Sequence, residues 1–184
     1  MIRGASAFLA VAVVLMISAC KEKDISGIYI HSFESGVYAH NQEPCEAPHR
    51  IAEGTADYCY EPIEVSNALG LKSLENGEMQ FAIRLVFFNW HSCSLRGVAQ
   101  KDRDTWVYRD DRYHEDCVLR IRHDENSILL NTDEGATCNA YCGARGQFND
   151  ARFDLDTLVK KQVSLQDIDC IIKEGDVETE QCEK

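Results

Sequence analysis

The chain has 184 residues, nine cysteines and a formal net charge of −12. Acid excess on this scale argues against a nucleic-acid partner, whose phosphates demand basic patches. An acidic surface favours a basic partner, although solubility alone accounts for the same sign. Beyond the first twenty residues the length suits one domain, which buries roughly 68–70% of its unfolded surface and so holds a core without disulfides.

The first predicted element is a leader. Arg3 supplies a positive start, Phe8 to Ile17 an uncharged apolar run, and Ser18-Ala19 the small residues a signal peptidase requires before its cut. A membrane-spanning helix needs roughly 20 apolar residues; the uncharged run from Gly4 to Cys20 is shorter, and Lys21-Glu22-Lys23-Asp24 follow at once. Ile17-Ser18-Ala19-Cys20 resembles the lipobox of bacterial lipoproteins. The resemblance implies a signal peptide over 1–19, a lipidated Cys20 carrying palmitate-type acyl chains as the first mature residue, and a short tether over 20–26. Several acyl chains on one cysteine anchor a protein firmly, where a single chain binds only marginally. In the same family terms, Lys21 rather than aspartate after the cysteine implies sorting to the outer membrane, with the domain facing the periplasm.

Next, Gly27-Ile28-Tyr29-Ile30 is the first expected strand, and Asp24 to Tyr29 resembles the glycine-x-aromatic opening of lipocalin-type barrels. Phe33 to Tyr60 is turn-rich, with Gly36, Pro44, Pro48 and Gly54, and is expected to be a loop or broken strands. Ile63 with Val65 and Leu69 with Leu71 suggest strand fragments. Asn76-Gly77 predicts a tight hairpin turn. Phe81, Ile83, Leu85 and Phe87 then alternate with Gln80, Ala82, Arg84 and Val86, the period of a strand with one buried face. Asn89-Trp90-His91 reads as a turn, Cys93 to Ala99 as a strand, Lys101 to Asp104 as a turn and Thr105 to Tyr108 as a strand. Asp110 to Asp116 make a polar connection, and Cys117 to Arg122 and Ser127 to Leu130 complete the series. Short strands about ten residues apart predict a mainly β fold, an antiparallel meander forming a small barrel or sandwich. Thr157 to Lys161 and Ser164 to Lys173 have helical spacing, so a short C-terminal helix is expected, Ser164 being its N-cap. The β-rich domain would then span 27–174, with an acidic tail over 175–184.

With Cys20 spent on lipid, an even number of cysteines remains, which in an oxidising compartment reads as a disulfide framework. Cys45 with Cys59 would clasp the turn-rich stretch. If strands alternate in direction, Cys117 opens one strand and Cys138 lies just past the end of its neighbour, at the same edge. Cys93 opens a strand two positions from that of Cys117, about 9–10 Å away and beyond disulfide reach. Cys93 with Cys142 is the simplest remainder, and Cys170 with Cys182 would close the tail. A zinc site at Cys138 and Cys142 competes, but the spacing is C-x3-C and no C-x2-C accompanies it. No metal and no cofactor other than the covalent lipid is expected.

His91-Ser92-Cys93-Ser94-Leu95-Arg96-Gly97-Val98-Ala99, taken with Cys138 to Phe148 and its C-x3-C-G-A-R-G, resembles a group of small cysteine-rich proteobacterial envelope proteins. In general shape the chain is also similar to periplasmic lysozyme-inhibitor barrels, and no inhibitory residue is carried over from them. Gly143 and Gly146 read as turn residues beside a disulfide, with Arg145 exposed or paired to an acid. No enzyme is expected. The chain has no G-x-S-x-G, H-E-x-x-H or phosphate-binding glycine loop. His91 beside Cys93 suits a hairpin cap, the cysteine being oxidised. Asp110-Asp111 and Asp154 with Asp156 are acid–base or calcium candidates, more simply read as solvated acids. Thr132 to Gly135 misses the calcium-loop register. Two functions stay open. One is an inhibitor or immunity protein anchored in the outer membrane and directed at a basic cell-wall hydrolase. The other is an envelope-maintenance or assembly lipoprotein that binds another outer-membrane component through Phe33 to Tyr60.

Overall fold

In the computed structural model, residues 23–39, 48–49, 58–112, 116–164 and 170 are described. The expected signal peptide, Cys20, Cys45, Cys182 and the acidic tail lie outside these residues.

Among the described residues, ten strands follow one another in chain order. They are β1 (Gly27–Ala39), β2 (Pro48–His49), β3 (Tyr58–Ser73), β4 (Met79–Val86), β5 (Ser92–Asp102), β6 (Thr105–Asp110), β7 (Cys117–His123), β8 (Ser127–Thr137), β9 (Ala151–Asp154) and β10 (Leu158–Lys160). All pairings are antiparallel, in the order β10-β1-β3-β4-β5-β6-β7-β8-β9, with β2 paired only to the start of β3. The chain leaves β9, bends through a 3-10 turn at Leu155–Thr157, and resumes as β10 against β1, so the nine-strand path nearly closes on itself as a barrel. Closure of this kind removes most of the open edges that a flat sheet would expose.

Period-two patterning fills the barrel. Phe81, Ile83 and Leu85 on β4, Leu95 on β5, Leu119 and Ile121 on β7, Ile128 and Leu130 on β8 and Phe153 on β9 are all buried in one cluster with Tyr29, Leu69, Leu71 and Met79. Each such side chain contributes about 1.5–3 kcal/mol by leaving water. Gly97 is part of this packing. A Cβ there would stand 2.4 Å from Cε2 of Tyr108, whose ring lies against the glycine and meets Phe81 edge-on at 5.2 Å.

The structure corrects four expectations. β4 is buried on both faces, because Ile28, Ala68 and Ala82 form a second cluster on the outer wall under Ile30 and Val163, where the chain crosses back after β10. The Asn-Gly turn is wider than a two-residue hairpin. The Leu74 N–H donates to Glu78 O at 2.9 Å and the Gly77 N–H to Leu74 O at 3.0 Å, with Gly77 alone in the left-handed region (φ 83°). Type I turns followed by such a glycine are the usual longer hairpin. The turn-rich stretch from Phe33 to Tyr60 is strand at both of its ends. β1 and β3 pair rung by rung from Gly27 opposite Leu71 to Ala39 opposite Cys59, so the fragments at Ile63 and Leu69 are one strand of 16 residues. Finally, Thr157 to Lys161 forms no α-helix, Thr157 ending the 3-10 turn. Leu158–Lys160 is the edge strand β10, where Leu158 covers Gly27 and Val159 stays 51% exposed. No helix of seven residues or more occurs among the described residues. Of the helix expected over Ser164 to Lys173, only Ser164 and Cys170 are described; Cys170 is buried, helical and disulfide-bonded.

Candidate binding surface

The two ends of the barrel differ in what they carry. Lys23 to Ser26 enter at the end that holds the turns after β3, β5 and β7. There Asp24 accepts the Ser26 N–H at 2.9 Å, and Ser26 Oγ donates to Ser73 Oγ at 3.0 Å. The Tyr29 hydroxyl donates to Ile25 O at 2.8 Å, and its burial pushes the phenol up to about 12. The entering segment is thus fixed to the barrel. The opposite end carries the Phe88–Trp90 turn, the connection after β6, the Cys138 to Phe148 loop and the outer part of β1 and β3.

Two disulfides hold the Cys138 to Phe148 loop. Cys93–Cys142 ties it to β5 and Cys117–Cys138 to β7, with Cα separations of 4.0 and 4.3 Å. Cys117–Cys138 is the pair that strand alternation predicts, and Cys93–Cys142 is the remainder expected beside it. Gly143 donates its N–H to Ser92 O at 2.8 Å beside the first bridge. Gly143 and Gly146 flank the turn expected of them, the Gly146 N–H donating to Gly143 O at 3.0 Å across Ala144-Arg145. Neither Gly143 nor Gly146 has positive φ, and a Cβ on Gly146 would lie 2.6 Å from Cys93 Sγ, so the bare backbone is what lets the loop close over the disulfide. Arg145 is exposed. Cys59 lies on β3, and its side chain is outside the described set.

Between the two bridges sits a polar tie that sequence reasoning had split into separate parts. Asp110, at the end of β6, has a side chain only 5% exposed. It accepts hydrogen bonds from Tyr108 Oη at 2.6 Å, from Arg112 Nη2 at 2.5 Å and Nε at 2.8 Å, from the Arg112 N–H at 2.9 Å, and from Tyr141 Oη. The Arg112 guanidinium, with the two phenols, holds the Asp110 carboxyl well below the usual carboxylate range. Burial, and then the hydrogen bond to Asp110, push both Tyr108 and Tyr141 up. A carboxylate with its lone pairs taken and its proton affinity lowered is a fastener, here joining β6 to Tyr141 on the stapled loop. The sequence signal was the alternation Tyr108-x-Asp110-x-Arg112.

The other candidates do not converge. Asp154 pairs with Arg152 at 2.9 Å, with both side chains about half exposed, and Asp156 stands in the following 3-10 turn. Asp133, within the Thr132 to Gly135 segment on β8, binds Arg120 at 2.5 and 2.8 Å. His91 closes its turn through the backbone, its C=O accepting the Phe87 N–H at 2.7 Å. Among the described residues, no group of three or more His, Cys, Asp or Glu side chains has metal-binding geometry.

What the far end exposes is of another kind. Trp90 is 59% exposed on a turn where Asn89 (φ 57°) and Trp90 (φ 61°) are both left-handed, a conformation that costs a non-glycine residue about 1–3 kcal/mol. Beside it, β1 and β3 run past their last rungs with other strands. From Ile30 to Glu34 and from Glu61 to Ser66 their outer edges have no ladder partner among the described residues, and Asn67 Oδ1 accepts the Val86 N–H at 2.7 Å. On one face of this ribbon Ser32 and Ser66 share a hydrogen bond at 2.8 Å, and Glu34 stands directly opposite Glu64. Phe33, Pro62 and Ile63 join the two glutamates around a hollow of about 280 Å³. Pro62 fits there because proline is tolerated where an edge lacks a partner. Comparison with known proteins finds no matching family model, no matching curated protein and no matching solved structure.

Proposed function

We propose that this chain is an outer-membrane-anchored periplasmic binding lipoprotein, an inhibitor or immunity protein that captures a basic cell-wall hydrolase on the β1–β3 ribbon. The observation that carries the reading is Glu34 facing Glu64 across adjacent strands. Like charges directly opposite each other on a sheet are destabilising, so the pair is a place where a cationic side chain from a partner relieves a cost already present. The ribbon adds Glu61, and it stands at the end away from Lys23. A lipid on Cys20 would hold the Lys23 end at the membrane and leave the ribbon free in the periplasm. Charge complementarity of this kind raises the capture rate and is weakened by salt.

The test is inhibition of a basic lysozyme by the mature chain across a salt series. The reading predicts inhibition that is strong at low salt and falls steeply as salt rises, and that Glu34→Gln/Glu64→Gln weakens. No binding at low salt would contradict it. A second reading, an assembly lipoprotein that binds another outer-membrane component, is favoured by the β3 edge from Glu61 to Ser66, which has no ladder partner among the described residues, since such an edge can accept an extended segment by strand addition. Recovery of assembly machinery alone from envelopes, with lysozyme untouched, would select it.

A further inference from the structure

The outer wall of the barrel is unlike the ribbon in charge. Leu95, Tyr108, Leu119, Ile121 and Phe153 are buried in the core, so their neighbours Arg96, Arg109, Arg120, Arg122 and Arg152 project from the other face of β5, β6, β7 and β9. In a chain of net charge −12 this is a concentration of guanidinium groups on one wall. Two of the acids on that face are already engaged, Asp133 by Arg120 and Asp154 by Arg152. Arg109 and Arg122 have no hydrogen bond or ion pair among the described residues, although the field of Arg109 helps keep Asp133 ionised. Valines lie between the arginines. Val107 and Val118 pack together as a cluster separate from the core, and Val98 is 43% exposed. A hollow of about 460 Å³ runs along this wall between Val98, Gln100, Lys101, Asp102, Val107 and Arg109. Past Arg109 the surface turns acidic at Asp111 and Asp116, which bounds it.

We propose that the outer face of β5–β7 docks an acidic, partly apolar segment of a partner protein, with carboxylates on Arg109 and Arg122 and aliphatic side chains over Val98 and Val107. Guanidinium groups take carboxylates in a two-pronged geometry, and arginine set among apolar side chains is the composition of protein interfaces. The overall acidity opposes nucleic acid. The wall also runs along the barrel rather than across the Lys23 end, so a bilayer beneath that end would not lie flat against it.

The proposal is tested by fluorescence anisotropy of the mature chain with a short labelled peptide alternating Glu and Val, against its Lys and Val counterpart, at low salt. Binding of the Glu peptide alone is expected. Arg109→Glu/Arg122→Glu should weaken it at least about tenfold, while Arg103→Glu/Arg145→Glu, which changes the net charge equally at the barrel ends, should shift it by less than about twofold. Near-UV circular dichroism checks the fold, and Arg109→Gln/Arg122→Gln serves if the charge reversals misfold. Equal loss in both pairs, or no binding of the Glu peptide, overturns the proposal. So does equal arginine-dependent binding to vesicles of phosphatidylethanolamine with phosphatidylglycerol, which gives the face to the membrane. Self-association abolished by the same pair would instead give it to a second copy.

Discussion

The wall formed by β4 to β8 and the ribbon formed by the outer halves of β1 and β3 are both antiparallel β-structure, yet different forces hold them. Along the wall, every second side chain enters a closed core, and the register is fixed by what would otherwise be exposed. Along the ribbon, Phe33, Ser35, Val37 and Ile63 are only half-buried and Glu34, Glu61, Pro62 and Glu64 are exposed, with Gly36 and Val65 buried, so the ladder between two strands carries more of its hold than it does along the wall. A two-stranded ribbon alone is marginal in water. Stability is concentrated in the wall, and the ribbon holds the charge of Glu34, Glu61 and Glu64 outward.

The sharpest break between the two is in core packing. Phe81→Ala should cost about 3–5 kcal/mol in urea unfolding, by cavity formation, and Phe33→Ala on the ribbon less than about 1 kcal/mol. Equal losses would mean that the ribbon is part of the core. Next, replacing both Cys117 and Cys138 by alanine should cost about 3 kcal/mol, since the bridge closes a 21-residue separation. The loss should appear as earlier proteolysis of the Cys138 to Phe148 loop, with the ribbon unaffected.

Asp110→Asn should cost about 1.5–3 kcal/mol near neutral pH, the scale of hydrogen bonds to a charged group. The sign with pH follows from the lowered carboxyl. Its stabilisation is fully present above the unfolded value of roughly 3.9 and is lost as pH falls from there toward the folded value, so wild type and variant should converge on acidification. A gap that widened on acidification would contradict the tie. The smallest effect is on the ribbon, where Glu34→Gln/Glu64→Gln should stabilise the free protein by about 0.2–1 kcal/mol while weakening hydrolase capture.

The wall was readable because its signals are local. Phe81, Ile83 and Leu85 alternate within five residues, and once strands alternate in direction, Cys117 and Cys138 fall at one edge without any knowledge of packing. The ribbon was readable only in part: Ile63 and Val65 suggest a strand fragment, which β3 contains, but Gly36 resembles a loop residue and the half-exposed side chains around it weaken the period-two contrast. β10 was missed for a related reason: Leu158 and Val159, adjacent and partly exposed, fit a helix face as well as an edge strand. The Asp110 tie depends on Tyr141, 31 residues away, and on the disulfides that bring it there, so only half of it could be read from Tyr108-x-Asp110-x-Arg112.

Hydrogen exchange of the mature chain with and without a basic lysozyme at low salt tests capture on the ribbon most directly. The account predicts new protection along Ile30 to Val37 and Glu61 to Asn67, lost at high salt. Protection confined to β5–β7, or none anywhere, would contradict it.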